Sequence, residues 1–326
     1  MRDQVTSSDQ VNYAAVIALA AICVMLLRIW IAGGVCKSRA RLDGKTVVIT
    51  GANTGIGKET AKDMALRGAR VVMACRDLTR AENTAEHIRR STGNGNVVIR
   101  HLDLASLYSV QEFAKEFIAT EERLDILINN AGVMMCPKEI TEDGFETQLA
   151  VNHLGHFLLT NLLLGMLKRS SPSRVVNVSS VAHVGGKIDF DDLFFDKRPY
   201  SPLLSYKQSK LANVLFSREL ARRIKGTGVS SFCLHPGVIR TELDRHVVLW
   251  YPMLKTILSL PCLLLMKTPW EGAQTSIYCA ITEGLERKSG CYFSDCAEKD
   301  PSPEGKDDEV ARRLWEESAQ LVGLNN

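Results

Sequence analysis

A tyrosine and a lysine four residues apart, Tyr206 and Lys210, form the pair of residues whose types and spacing most clearly indicate chemistry in this 326-residue chain. In a helix that spacing places both side chains on one face, a turn apart. A free phenol has a pKa of about 10, and a neighbouring ammonium group favours the phenolate and lowers that pKa. The pair is therefore predicted to exchange a proton with an alcohol or carbonyl oxygen, with Tyr206 as the acid–base group.

Two further polar side chains are predicted to join this pair. Ser180 ends a predicted buried strand, at the carboxyl edge where open α/β sheets bind their ligands, and its hydroxyl can donate a hydrogen bond to the reacting oxygen. Asn152 lies early in a predicted long helix, where it can hold a water molecule for proton relay; a helix-surface asparagine is the competing interpretation. Together the four residues predict a catalytic site, with Ser180 also contacting substrate.

A glycine-rich segment with the spacing G-x-x-x-G-x-G follows the first predicted strand and opens a helix. Glycines at such positions allow a tight turn, a close approach of the backbone to pyrophosphate and close helix–strand packing. The helix N-terminus then faces the phosphates with unpaired N–H groups. The segment predicts a dinucleotide site formed by Gly51, Ala52, Asn53, Thr54, Gly55, Ile56 and Gly57.

The end of the second predicted strand carries the residue that would distinguish the two nicotinamide dinucleotides. A guanidinium at Arg76 suits a 2′-phosphate through charge-assisted hydrogen bonds, which favours NADP(H) over NAD(H). Asp77, beside it, argues the other way, and a solvated surface pair is the structural alternative. Further cofactor contacts are expected where the other strands end, at Asp103 (adenine), Asn130 (cofactor lining), and Pro236 and Thr241 (nicotinamide).

Short apolar runs alternate with helical periods from Lys45 onward, which predicts an α/β fold with a single doubly wound, Rossmann-like parallel sheet. The predicted strands are 46–50, 70–75, 97–101, 125–129, 174–179 and 229–234. The predicted helices are 56–67, 78–90, 107–122, 144–168 and 204–225. We expect residues 1–40 to be a membrane anchor with a basic flank, and residues 41–326 to be one domain with a substrate lid at about 242–270.

The segment from Val11 to Ala32 approaches the ~20 apolar residues that span a bilayer, with Arg28 near one end. A cleaved signal peptide and a soluble core helix are the competing interpretations. Basic residues follow the segment, so the globular part is expected on the cytoplasmic side. A second apolar run, 247–266, is broken by two prolines; it is interpreted either as a lid over an apolar ligand or as a segment that also dips into lipid.

Composition excludes several classes of protein. A formal net charge of +3 is too small for a typical nucleic-acid binder, and 45% hydrophobic residues exclude a mainly disordered chain. The nine cysteines form no C-x-x-C pair, which favours free thiols in a reducing compartment. His153 and His156 have a spacing that metal ligands use, but no third ligand accompanies them, so no metal site is expected. His183, just beyond Ser180, is expected at the surface, with a contact to substrate as the alternative.

The order of these motifs resembles that of the short-chain dehydrogenases/reductases, over Lys45 to about Phe293. Longer segments resemble the membrane-anchored retinol dehydrogenases, types eleven to fourteen: GANTGIGKETA, ILINNAGVM, EDGFE, VNHLGHFLLTNLLL, VNVSSVAH, SKLANVLF and LHPGV-x-RTEL. The resemblance implies that Tyr206 is the proton donor and acceptor, that Lys210 orients the ribose, and that Asn152 completes a tetrad. It also implies NADP(H), an anchor in the endoplasmic reticulum and a catalytic domain facing the cytosol.

The function that follows is NADP(H)-dependent interconversion of retinal and retinol at a membrane surface. Medium-chain lipid aldehydes or ketosteroids are the alternative substrates, and a membrane-tethered NADP(H)-binding scaffold is the alternative outside enzymes. One departure from the family pattern is an apparent single-residue insertion within 196–205, around Tyr200, which is expected to reshape the pocket rim. The sequence leaves the oligomeric state open.

Overall fold

The sheet is built from short runs of mostly buried β-branched and other apolar residues. In the computed structural model, which describes residues 7–239 and 266–324, the strands are β1 (Thr46–Thr50), β2 (Arg70–Cys75), β3 (Val97–His101), β4 (Ile126–Asn129), β5 (Ser173–Val178), β6 (Val229–Leu234), β7 (Tyr292–Ser294) and β8 (Ala297–Lys299). The first six agree with the predicted strands to within one residue. The last two were not predicted, because three-residue strands are too short to show a period.

The spatial order of the strands is β3-β2-β1-β4-β5-β6-β7-β8. All neighbouring strands pair in parallel except β7 and β8, which are antiparallel. The order reverses between β1 and β4, and sheets of this kind bind ligands beyond the carboxyl ends of their strands at such a point. The predicted doubly wound parallel sheet is confirmed.

The described helices are α1 (Ser7–Ala32), α2 (Gly55–Leu66), α3 (Leu78–Thr92), α4 (Leu107–Thr120), α5 (Thr147–Leu149), α6 (Gly155–Arg169), α7 (Pro202–Arg223), α8 (Pro269–Ile281) and α9 (Asp308–Leu321). Those other than α1 and the short α5 cover the two faces of the sheet. One apolar cluster joins the sheet to α2, α3 and α8, and another joins it to α4, α6, α7 and α9. Helices α8 and α9 lie beyond the elements predicted from the sequence.

The predicted continuous helix 144–168 is wrong in one respect. The structure has the short helix α5, then a π-helical turn at Ala150–Leu154, and only then α6. A π turn contains one residue more than an α-turn and is frequent at functional sites. Asn152 lies within this turn rather than on a regular helix.

Two described segments are long and apolar enough to cross a membrane, Ala15–Ala32 and Thr147–Arg169. The second is mostly buried among the other helices and is a core element. The first exposes its apolar side chains along its whole length, with a mean hydropathy of 2.5. Near its end, Nη2 of Arg28 donates to both carboxylate oxygens of Glu271 at the start of α8, at 2.6 and 2.7 Å. The apolar helix is therefore tied to the globular domain.

Candidate active site

Helix α7 places Tyr206 and Lys210 on its buried face. The helix starts at a fixed point, because Ser201 caps it through its hydroxyl and Pro202 occupies the first turn. Tyr206 is 5% exposed and Lys210 is 3% exposed. The ammonium nitrogen of Lys210 lies 5.7 Å from the centre of the Tyr206 ring. The structure thus brings the two residues together as their spacing predicts.

The electrostatics of this pair differ from the expectation. Burial raises the pKa of Tyr206, and a hydrogen bond with Ser180 opposes this rise only in part. Burial lowers the pKa of Lys210 to about 8. The expectation that the pKa of Tyr206 lies below its usual value is therefore wrong for the protein alone, since desolvation has the largest effect. Tyr206 is a neutral phenol at pH 7, which is the form that donates a proton.

Ser180 lies two residues after the end of β5 and is held against α7 by the two residues before it. Ser179 donates its hydroxyl to the Lys210 carbonyl at 2.6 Å, and the Lys210 ammonium donates to the Val178 carbonyl at 3.3 Å. The Ser180 hydroxyl oxygen accepts a hydrogen bond from the Ala182 N–H at 3.1 Å. Because that bond uses a lone pair, the hydroxyl proton remains available to donate to a reacting oxygen beside Tyr206.

The side chain of Asn152 is fully buried and makes hydrogen bonds through both of its polar atoms. Its amide nitrogen donates to the Val133 carbonyl and to the Ser209 hydroxyl, both at 2.9 Å, and its oxygen accepts from the Val133 N–H at 2.8 Å. A Cβ built on Gly132 would lie 3.1 Å from this oxygen and 3.4 Å from the Lys210 ammonium. Asn152 thus fixes the loop after β4 beside Lys210. Its role in a proton relay stays a prediction.

A buried hydrogen-bond cluster below the site was missed by sequence reasoning. The Thr50 hydroxyl oxygen accepts from the N–H groups of Asn130 and Ala131, both at 2.9 Å, and lies 2.8 Å from Nε2 of His156. Burial lowers the pKa of His156 to about 3, so its ring is neutral. The sequence around His156, which lies six residues after the first residue of the π turn, gives no indication of this contact. The cluster joins the ends of β1 and β4 to α6.

The glycine segment has the geometry of a dinucleotide cradle. Gly51 has a φ of +63°, and a Cβ on Gly57 would collide with the Gly51 carbonyl and lie 2.6 Å from Nδ2 of Asn130. The Asn130 amide donates to the Thr50 carbonyl at 2.8 Å, so it supports the loop from below. Thr54, the residue before α2, makes no side-chain cap, which leaves the first N–H groups of α2 to a ligand. The residues present therefore fit a nicotinamide dinucleotide.

The structure gives Asp77, beside Arg76, a role in capping a helix. Asp77, the residue that argued for NAD(H), is the N-cap of α3 and accepts from the Arg80 N–H at 2.9 Å. The Arg76 side chain is 67% exposed, and its ion pair with Asp103 is long, 4.0 Å. Arg76 and Asp103 thus lie together at the edge where β2 and β3 end, with the guanidinium accessible to a ligand.

Of the remaining predicted cofactor residues, one lies in the part of the chain that the structure describes and one does not. Pro236 is buried directly after β6. Thr241 lies outside the described residues, as does the predicted lid except for residues 266–270. Within residues 7–239 and 266–324, no group of three or more histidine, cysteine, aspartate or glutamate side chains could hold a metal ion.

One expectation about the surroundings of the site is corrected, since His183, expected at the surface, is 3% exposed. The stretch with the apparent insertion is held in place, because the Tyr200 hydroxyl donates to Glu146 at 2.9 Å and accepts from Gln148 at 2.8 Å. Its effect on the pocket rim stays a prediction. Glu146 is fully buried, caps α5 through both carboxylate oxygens and accepts from the Ser205 hydroxyl. The carboxylate therefore ties this stretch to the start of α7.

Comparisons with known proteins agree with this geometry. The short chain dehydrogenase family model matches residues 45–252. Human retinol dehydrogenase 13 is 56% identical over 301 residues, which cover 92% of this chain and 91% of that protein. Human retinol dehydrogenase 12 is 56% identical over 304 residues, covering 91% and 92%. A solved structure of an uncharacterised protein from Mycobacterium paratuberculosis is 37% identical, with a TM-score of 0.72, and covers 89% of this chain and 98% of that one. The chain therefore belongs to the short-chain dehydrogenase family, an NAD(P)-dependent family of oxidoreductases, and groups with retinol dehydrogenases 11 to 14.

Proposed function

We propose that this enzyme uses NADP(H) to interconvert retinal and retinol at a membrane surface. The observation that carries the proposal is the convergence of Ser180, Tyr206 and Lys210 at the strand ends that also hold the dinucleotide cradle. The relatives named retinol dehydrogenase 11 to 14, at 51–56% identity, support the retinoid substrate. The accessible guanidinium of Arg76 supports NADP(H).

The side chains divide the chemistry between them. A nicotinamide dinucleotide held by the glycine segment 51–57 would supply or accept the hydride. The Ser180 hydroxyl donates a hydrogen bond to the carbonyl oxygen of the substrate and so fixes its position. Tyr206, held neutral by burial, gives the proton that this oxygen needs as negative charge develops on it. The charge of Lys210 beside the Tyr206 ring stabilises the phenolate left behind.

Exposed apolar side chains next to the catalytic residues support an apolar substrate. Val181 and Val184 follow Ser180, and Leu203 and Leu204 precede Tyr206; each of the four is between 44% and 53% exposed. A polyene or another long hydrocarbon chain would cover these side chains and remove apolar surface from water. Lipid aldehydes and ketosteroids share this property, so the substrate panel below includes them.

The membrane location belongs to the same proposal. The exposed apolar helix α1 supports a single-pass anchor, and Lys37, Arg39, Arg41 and Lys45 after it support a cytosolic catalytic domain. The endoplasmic reticulum is the membrane we propose. Protease added to sealed, right-side-out microsomes is expected to digest the domain; its protection would show that the orientation is reversed.

The experiment measures NADPH oxidation by membranes from expressing cells, with all-trans-retinal, nonanal or a ketosteroid as substrate. We expect turnover of retinal, and a loss of about 10²-fold or more in kcat for Tyr206→Phe, because the variant has no proton to give. Tyr108→Phe is the matched control, since Tyr108 is 70% exposed on α4. Faster turnover of nonanal or of the ketosteroid than of retinal would show that the proposed substrate is wrong. Equal turnover by Tyr206→Phe and wild type would refute the mechanism.

A further inference from the structure

A buried histidine joins the catalytic serine to a distant part of the chain. His183 is the last residue of a short 3-10 helix, Val181–His183, that directly follows Ser180. One ring nitrogen, Nδ1, lies 2.8 Å from the Ser180 carbonyl oxygen. The other, Nε2, lies 3.0 Å from the backbone nitrogen of Ser302, which is 119 residues away in sequence. The ring therefore spans from the catalytic loop to the carboxy-terminal segment.

The two partners determine the protonation of the ring. The Ser302 N–H can only donate, so Nε2 must carry a lone pair. The Ser180 carbonyl can only accept, so Nδ1 must carry the proton. Burial lowers the pKa of His183, in agreement with a neutral ring. His183 is thus held as the neutral Nδ1–H tautomer.

The ring is also fixed in orientation. The ring of Tyr292 packs against it at a centroid distance of 4.9 Å, and the Tyr292 hydroxyl lies 3.4 Å from Nδ1. Ser302 is itself buried and caps the 3-10 helix Pro303–Lys306. The carboxy-terminal segment therefore provides a rigid point of attachment for the ring.

The geometry points to His183 as a positioning residue for Ser180. The ring holds the Ser180 carbonyl, which sets the peptide plane at the start of the turn. The next peptide group carries the Ala182 N–H, which occupies one lone pair of the Ser180 hydroxyl. With the turn held, the hydroxyl proton points at the reacting oxygen beside Tyr206. Without the ring, the turn loses one of the two hydrogen bonds that the Ser180 carbonyl accepts, the other coming from the His183 N–H at 3.1 Å.

Two amide variants separate positioning from structural support, and the inference rests on the proposed carbonyl reduction. In His183→Asn the amide nitrogen takes the place of Nδ1 and keeps a donor for the Ser180 carbonyl. In His183→Gln the amide oxygen takes the place of Nε2 and keeps an acceptor for Ser302. We expect kcat to fall about tenfold in His183→Gln and about threefold or less in His183→Asn, because a misplaced Ser180 hydroxyl makes a weaker hydrogen bond to the reacting oxygen in the transition state.

The cofactor and stability measurements complete the test. The KM for NADPH is expected to stay unchanged in both variants, because neither touches the cradle. Ile88→Val, in the fully buried core on the α3 side, serves as a control for a stability loss away from the site. If kcat falls equally in both amide variants, or follows Tm as it does in the Ile88→Val control, His183 is only structural and the inference is wrong.

A measurement independent of turnover covers the case in which the variants do not fold. Ring ¹⁵N chemical shifts of histidine-labelled wild type at pH 7.5 report the tautomer directly. We expect a neutral Nδ1–H ring for His183; a neutral Nε2–H ring or a doubly protonated ring would overturn the inference. If wild type reduces no carbonyl compound, the proposed function fails, while the tautomer result still decides whether the ring holds the Ser180 carbonyl.

Discussion

Replacing Arg76 by alanine tests the choice of cofactor. The guanidinium is two-thirds exposed, and its pairing with Asp103 at 4.0 Å is a surface ion pair of about 0–1 kcal/mol. Little is therefore lost when the side chain turns toward a ligand. Charge-assisted hydrogen bonds to a 2′-phosphate contribute about 1.5–3 kcal/mol, which corresponds to about 10- to 150-fold in Kd.

We expect the Kd of NADPH to rise by this factor in Arg76→Ala and the Kd of NADH to stay unchanged, because NADH carries a hydroxyl group in place of the phosphate. Arg76→Asp is expected to weaken NADPH binding further through repulsion. Isothermal titration of each variant with both reduced cofactors measures the two constants. Arg90→Ala is the control, since Arg90 pairs with Glu86 on the exposed side of α3. An equal loss of both cofactors would refute the assignment of Arg76 to the phosphate.

Two further predictions concern the buried polar groups. Thr50→Val leaves the N–H groups of Asn130 and Ala131 without their acceptor, so we expect the free energy of unfolding in urea to fall by about 2–4 kcal/mol. Thr46→Val, in the same strand, is the control and is expected to change this free energy little. A similar loss in both variants would contradict the role of the Thr50 hydroxyl as a buried acceptor. Because burial lowers the pKa of Lys210 from 10.5 to about 8, the unfolded chain binds a proton between these pH values that the folded chain does not, and the stability of wild type rises with pH. Lys210→Met is therefore expected to unfold at higher urea concentration than wild type at pH 7, with a difference that shrinks by pH 10; a difference that grows with pH would show that Lys210 is not desolvated.

The strands and the meeting of Tyr206 with Lys210 could be predicted from the sequence because each has a local signal. Runs such as Val47-Val48-Ile49 are buried on both sides, so their apolar character marks the strands to within a residue. The glycine spacing and the four-residue interval from Tyr206 to Lys210 are likewise local. Such signals depend only on residues close together in the sequence, and not on contacts with distant parts of the chain.

The parts that could not be predicted depend on contacts between distant segments. The burial of His183 requires Ser302 and Tyr292, which lie more than a hundred residues away. The pKa of Tyr206 depends on how completely the fold removes it from water, which a spacing rule does not contain. Asp77 illustrates a third case, since one aspartate suits both a ribose contact and a helix cap, and only the position of α3 decides between them.

The π-helical turn at Ala150–Leu154 gives the polypeptide a built-in spacer. Because a π turn holds one residue more than an α-turn, removing one residue there would restore a regular helix and leave the faces of α5 and α6 nearly unchanged. The hydrophobic packing of α6 on the sheet would persist, but the backbone that presents the Asn152 amide to the loop after β4 would lose its bulge. A single-codon deletion in this short stretch would thus separate folding from catalysis more cleanly than most substitutions.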